Sequence, residues 1–231
     1  MIVLKNVSKT YGKGEEKVEA LKNVNLVIED GKFTAIIGKS GSGKTTLMNL
    51  IGGLDNPTQG QITADDMDIT SLNSKELAKY RNQTTGFVFQ SFYLEPSFTV
   101  LENVCMPLTI AGIGKKEREE RAKNMLISLG LEDKIYKKTN DLSGGQKQRA
   151  CIARALVSNP KIILADEPTG NLDSENGSEV IRLLRRIADE GKSVILVTHN
   201  PEDAKKTDNI VEIKDGIVHA DYMEKYQELF V

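Results

Sequence analysis

Three short stretches of the chain are apolar almost throughout: "FTAIIG" (33–38), "KIILADEP" (161–168) and "SVILVTH" (193–199). Such runs, with no polar alternation, read as strands covered on both faces, the pattern of a parallel sheet. "IVLKNV" and "VNLVI" (24–28) read as earlier strands with "GEEKVE" as the loop between them, and "GFVFQ" (86–90) as another strand. Helical spacing takes over elsewhere. "KTTLMNLIGGL" (44–54) follows the first apolar run directly, and "KKEREERAKNMLISLG" is helical and charged. "SEVIRLLRRIADEG" puts Val180, Leu183, Leu184 and Ile187 on one stripe that ends at Gly191. "NIVEIKDGIVH" reads as a hairpin around Asp215-Gly216. Strand and helix thus alternate, with a helical lobe at 91–159 interrupting them. The pattern predicts an α/β core with a parallel central sheet and a helical insertion.

Composition narrows this little. The 231 residues are 39% hydrophobic, enough for a sizeable core. Lys plus Arg number 31 against 33 Asp plus Glu, so no electrostatic excess points to nucleic acid or anionic lipid. The start, "MIVLKNVSKTYG", has no long apolar segment of the secretory kind, and no run approaches the ~20 residues that span a bilayer. The expectation is a soluble, cytoplasmic protein. Cys105 and Cys151 both sit beside apolar residues and are expected to be small, reduced core residues.

The chemistry begins where the first apolar run stops. "GKSGSGKT", 38–45, fits G-x-x-x-x-G-K-[ST] between a strand and a helix, the setting a phosphate loop requires. Its glycines let backbone N–H groups wrap a polyphosphate, Lys44 brings charge to the β- and γ-phosphates, and Thr45 offers a hydroxyl to Mg²⁺. Gly38, Lys39, Ser40, Gly41, Ser42, Gly43, Lys44, Thr45 and Thr46 form the expected nucleotide-binding set. Asp166 and Glu167 close the second run, at the strand end where parallel sheets place ligands. If the chain turns there, both serve one site: Asp166 holds Mg²⁺ through its water shell, and Glu167 orients or deprotonates the attacking water. A lone His is more often structural, but His199 ends the third run at the same sheet edge and could reach the γ-phosphate or that water. Gln90 ends "GFVFQ" and could reach Mg²⁺ or the water through its amide. His219 has no such context. "DLSGGQKQRA" (141–150) is a second glycine-rich helix start suited to an anion, with Ser143 as cap.

Taken in order, the phosphate loop, Gln90, "LSGGQ" (142–146), "IILADE" (162–167), "NLD" (171–173) and His199 make the chain resemble the nucleotide-binding subunit of ATP-binding cassette (ABC) transporters over nearly its whole length. The resemblance implies a P-loop NTPase (RecA-like) core with a mostly parallel central sheet, an antiparallel β subdomain and an inserted helical subdomain (91–159), all within a single ATP-binding domain (1–231). It implies ATP and Mg²⁺ as ligands and ATP hydrolysis as the reaction. It also implies a head-to-tail dimer of two copies, in which Ser143, Gly145 and Gln146 hold the γ-phosphate of ATP bound to the partner. Asp173 would lie at the same interface, and Tyr11 would stack on adenine. A separate membrane permease would tie the chain to the inner face of the cell membrane.

"GFVFQSFYLEPSFTVLENVCMPL" and "ADEPTGNLD" are similar to the lipoprotein-releasing, macrolide-efflux and antimicrobial-peptide-resistance group. Glu95 stands where that group usually has an apolar residue, "YKKTND" where it often has His and Pro, and Asn200 where Asp is common. Two outputs stay open: export or mechanical work across a membrane, and an ATP-driven regulatory or sensing cassette without cargo.

Overall fold

The computed structural model describes residues 1–12 and 14–230. Its centre is a six-stranded sheet. β3 (Phe33–Ile37), β6 (Thr85–Phe89), β7 (Ile162–Asp166), β8 (Ser193–Val197) and β9 (Asn209–Lys214) run parallel, and β10 (Ile217–His219) closes one edge antiparallel, in the order β10-β9-β3-β8-β7-β6. The hairpin expected at Asp215-Gly216 is this edge pair; both residues have positive φ, 51° and 81°. A second, antiparallel sheet contains β1 (Ile2–Tyr11), β2 (Val18–Ile28), β4 (Gln59–Ala64) and β5 (Met67–Asp68), in the order β2-β1-β4-β5.

The central strands are apolar throughout because each face has its own core. Phe33, Val88, Ile163, Ala165, Val194 and Leu196 point into one, shared with the helices α3 (Val100–Ile110), α4 (Lys115–Ser128), α5 (Gly144–Leu156) and α6 (Ser174–Asp189). Ile36, Ile162, Leu164, Ile195, Val197 and Val211 point into the other, with α1 (Lys44–Ile51) and the antiparallel sheet. Alternate residues of β7 and β8 therefore enter opposite cores, which removes any polar alternation from their sequences. The three long helices α3, α4 and α5 lie between β6 and β7, inside the stretch read as a helical lobe.

Several boundaries differ from the sequence reading. The strand expected at 24–28 begins at Val18, because Tyr11 to Lys9 of β1 continue to pair with Val18 to Leu21; of the expected loop, Gly14–Glu16 form a 3-10 turn, Lys17 follows it outside the sheet, and Val18 and Glu19 belong to β2. α1 stops at Ile51 rather than 54, where Gly52 and Gly53 follow. α6 begins at Ser174, capped by Asp173, and buries Ile181 and Ala188 as well as Val180, Leu184 and Ile187, while Leu183 is partly buried. β4, β5 and α2 (Ser74–Gln83) occupy a stretch the apolar pattern left blank. α2 buries only Leu77 and Tyr80, and its start was readable only from its capping box, Asn73 and Glu76. Cys105 and Cys151 are free and buried; burial pushes the Cys151 thiol up to about 12. No helix among the described residues is long and apolar enough to cross a membrane. His219 is exposed, as is Glu95, whose carboxylate accepts from the backbone and hydroxyl of Ser97.

Candidate nucleotide site

The loop from Gly38 to Gly43 joins β3 to α1 at the C-terminal edge of the central sheet. Its shape depends on glycines with φ values closed to most side chains: 154° at Gly38 and 110° at Gly43. Space is equally restrictive. A Cβ on Gly43 would stand 2.5 Å from the Ala20 carbonyl, and one on Gly38 would stand 2.3 Å from that of Ile213. Ala20 is the residue skipped where Lys9 pairs with Leu21 and Thr10 with Glu19. This bulge brings β2 against the loop.

α1 begins without a side-chain cap, so the first amides of the helix have no intrahelical or side-chain acceptor. The Lys44 ammonium folds back, donating to the carbonyls of Gly38 (2.8 Å) and Lys39 (2.9 Å), and is buried. Among the described residues no carboxylate pairs with it within 4.0 Å. The result is a concave nest of N–H groups around an unneutralised cation, which fits a polyphosphate.

Asp166 ends β7 and Glu167 follows it, and continued strand geometry would send them to opposite faces. The chain instead turns at once. Glu167 has φ 44°, in the left-handed region that non-glycine residues seldom occupy, and its amide donates to the Val197 carbonyl of β8 (2.9 Å). Both carboxylates then face the phosphate loop. The Thr45 hydroxyl donates to Asp166 at 3.4 Å, and His199 Nδ1 lies 3.2 Å from Glu167 Oε1. Burial raises the Asp166 pKa, and the neighbouring Glu167 carboxylate raises it further, against smaller opposing effects of Thr45 and Lys44. An anionic oxygen pair held out of water beside a hydroxyl is a donor set suited to Mg²⁺, which takes oxygen ligands.

A single cleft of about 460 Å³ is lined by Ala20, Ser40, Gly41, Gly43, Lys44, Thr45, Thr46, Glu167 and His199. Gly38, Lys39 and Ser42 shape the loop without lining the cleft. Gln90 does not line it and packs against the turn after Glu167: a Cβ on Gly170 would meet the Gln90 amide nitrogen at 2.5 Å, and the Gln90 carbonyl accepts from Asn171. Tyr11, the last residue of β1, is part-exposed. Its hydroxyl donates to Asp55 (2.8 Å) and stands beside Thr46.

Ser143, Gly145 and Gln146 are absent from the cleft. They open α5, where Ser143 and Gln146 bond reciprocally: the Ser143 hydroxyl accepts from the Gln146 amide, and the Gln146 side chain accepts from the Ser143 amide. Asp173 caps α6 through Asn176 (2.9 and 2.7 Å), and a Cβ on Gly145 would meet the Asn176 side chain, so the two helix starts are packed together. Sequence reasoning missed Ala20, which carries no chemical signal, and Asp55, a carboxylate in a turn.

Comparison with known proteins gives the family and the fold. The model of the ABC transporter family matches residues 21–170. A curated relative from Bacillus subtilis, the uncharacterized ABC transporter ATP-binding protein YvrO, is 50% identical over 216 residues, 94% of each chain. The macrolide export ATP-binding/permease protein MacB of Aggregatibacter actinomycetemcomitans is 46% identical over 97% of this chain, which spans 35% of that longer protein. A solved dimeric, post-hydrolysis structure of the ATP-binding cassette MJ0796 with ADP and Pi superposes with a TM-score of 0.87 at 48% identity, covering 95% of this chain and 97% of that one. The chain belongs to the ABC transporter family, as an ATP-binding subunit with the P-loop NTPase fold, and its reaction is ATP hydrolysis.

Proposed function

We propose that this subunit drives a membrane permease, of the macrolide-efflux or lipoprotein-release kind, through a head-to-tail dimer with two composite ATP sites. One observation carries the reading. The phosphate loop, Glu167 and His199 converge on one cleft, while Ser143, Gly145 and Gln146, equally suited to an anion, face elsewhere on the same chain. Two copies arranged head to tail would bring each helix start to the other's ATP. That the cassette this chain resembles is dimeric supports a pairing of two copies.

In each site, Lys44 and the loop amides bind the β- and γ-phosphates, and Tyr11 receives the adenine. Thr45 and Asp166 would hold Mg²⁺, with Gln90 as a further candidate ligand; the ion would supply neutralisation of the phosphate charge. Glu167 orients the attacking water and takes its proton, with one carboxylate oxygen held by His199 and the other free for the water. Asp173, which caps α6 through Asn176 against the start of α5 (the signature helix), would link the two sites.

The subunit would sit on the cytoplasmic side of the membrane, with the permease docked against the segment after Gln90. There α2, β6 and α3 frame a largely apolar groove of about 470 Å³, with Tyr93 and Ile110 strongly exposed. Export and mechanical work use the same nucleotide chemistry and are both served by this arrangement.

The test is Glu167→Gln. It should lower turnover by ~100-fold or more while keeping ATP bound, and so trap the dimer. Light scattering with ATP should then report twice the monomer mass; monomer alone at saturating ATP would contradict the reading.

A further inference from the structure

We propose that Asp55 and Lys9 are positioning residues that hold the Tyr11 ring at the angle at which it receives the nucleobase. The inference rests on the reading that Tyr11 contacts adenine. Lys9 and Tyr11 are two apart on β1 and so share a face of the strand. Asp55 meets both: its Oδ2 accepts from the Tyr11 hydroxyl at 2.8 Å, and its Oδ1 accepts from the Lys9 ammonium at 2.6 Å. Lys9 is fixed a second time by the Asn56 carbonyl, also at 2.6 Å. Its ammonium lies 4.8 Å from the centre of the Tyr11 ring, covering one side of it with positive charge. The ring therefore has a tether at its hydroxyl end and a cation against it, and keeps part of its surface open.

The tether also fixes where the base lies relative to the phosphates. Asp55 follows α1, and its amide turns back to the Asn49 carbonyl of that helix (3.3 Å), one turn beyond Thr46. The helix that presents Lys44 and Thr45 to the phosphates thus ends in the group that holds the tyrosine. A tether of this kind spares the bound state the cost of ordering the ring on each binding event. Burial works against ionisation of Asp55, but the hydrogen bonds from Lys9 and Tyr11 outweigh it and hold its pKa below the usual carboxylate range. The clamp stays charged at neutral pH.

Tyr11→Phe separates a tether from a simple stacking surface, because it keeps the ring and removes the hydroxyl. Tyr11→Phe and Asp55→Asn should each raise the KM for ATP by about three- to tenfold with kcat unchanged, and the double variant should be no worse than either alone. Inorganic tripolyphosphate, which has no base, should compete with unchanged affinity in all three. If Tyr11→Ala raises KM but Tyr11→Phe and Asp55→Asn do not, the clamp is overturned and base contact survives. If Tyr11→Ala leaves KM unchanged, base contact falls and the clamp with it. Tripolyphosphate weakened in parallel with ATP would reduce Asp55 to a structural role and overturn the proposal.

Discussion

α1 starts behind Gly43, at φ 110° with no side-chain cap, whereas α5 starts behind Ser143, in extended geometry with a complete capping box. Both are glycine-rich, and both were legible in the sequence as places for an anion. The first leaves its amides and Lys44 open around a cleft flanked by two carboxylates. The second satisfies two of its own amides through Ser143 and Gln146 and faces away from that cleft. A glycine-rich helix start can thus be a container or a lid, and the cap distinguishes them. On the proposed function, the open start would bind by itself, and the capped one, holding its shape without ligand, would add donors when a second copy arrives.

The largest effect should come from emptying the container. Lys44→Ala removes the charge-assisted contacts and should weaken ATP binding to the isolated chain by ~100-fold or more, read by calorimetric titration. Next, Ser143→Arg should abolish turnover, by ~50-fold or more, while ATP affinity at dilutions that keep the protein monomeric stays within about twofold of wild type. Loss of both together would erase the difference between the two starts.

Gly145→Ala tests the lid more finely. Its new methyl would stand 2.0 Å from the Asn176 amide oxygen. The Asn176 side chain must then give up its amide bond to Asp173, for a loss of about 1 kcal/mol in denaturant unfolding. Asn176→Ala in the same chain should recover the overpacking part of that loss.

The smallest effect has the opposite sign. The Asp166 pKa is raised in the fold, by burial and then by Glu167. Its contribution to stability is present below the unfolded pKa and is lost as pH rises through the folded one, so at neutral pH the ionised group is a net cost. Asp166→Asn, unfolded in chelator and without nucleotide, should be more stable than wild type at pH 7 by up to about 1 kcal/mol, and should lose that advantage near pH 3. The variant gains stability at the position where catalysis needs charge.

What could be read from the sequence follows the same physics. β3, β7 and β8 were plain because two cores demand apolar residues on both faces, and the phosphate loop was plain because few sequences satisfy its backbone. β4, β5 and α2 were not, because they bury so little that periodicity carries no signal; Leu77 and Tyr80 are the only buried side chains of α2. The early part of β2 was hidden by "EEKVE", which is polar because Val18 and Glu19 are exposed in the antiparallel sheet. At the site, Lys44 was found from the loop motif, and Asp166, Glu167 and His199 from their place at strand ends. The left-handed turn at Glu167, which brings the two carboxylates together, has no residue signature. Nor does Asp55, whose partner Tyr11 lies 44 positions away.

The central claim is that each ATP site is shared between two chains. It is tested most directly by mixing Lys44→Ala with Ser143→Arg protein and following ATP hydrolysis against the mixing ratio at constant total concentration. Each variant alone should be nearly inactive. A mixed dimer pairs an intact phosphate loop with an intact signature helix at one of its two sites, so activity should rise to a maximum at equal proportions. A mixture that never exceeds the sum of its separate parts, with both proteins folded and dimerising, would contradict the claim.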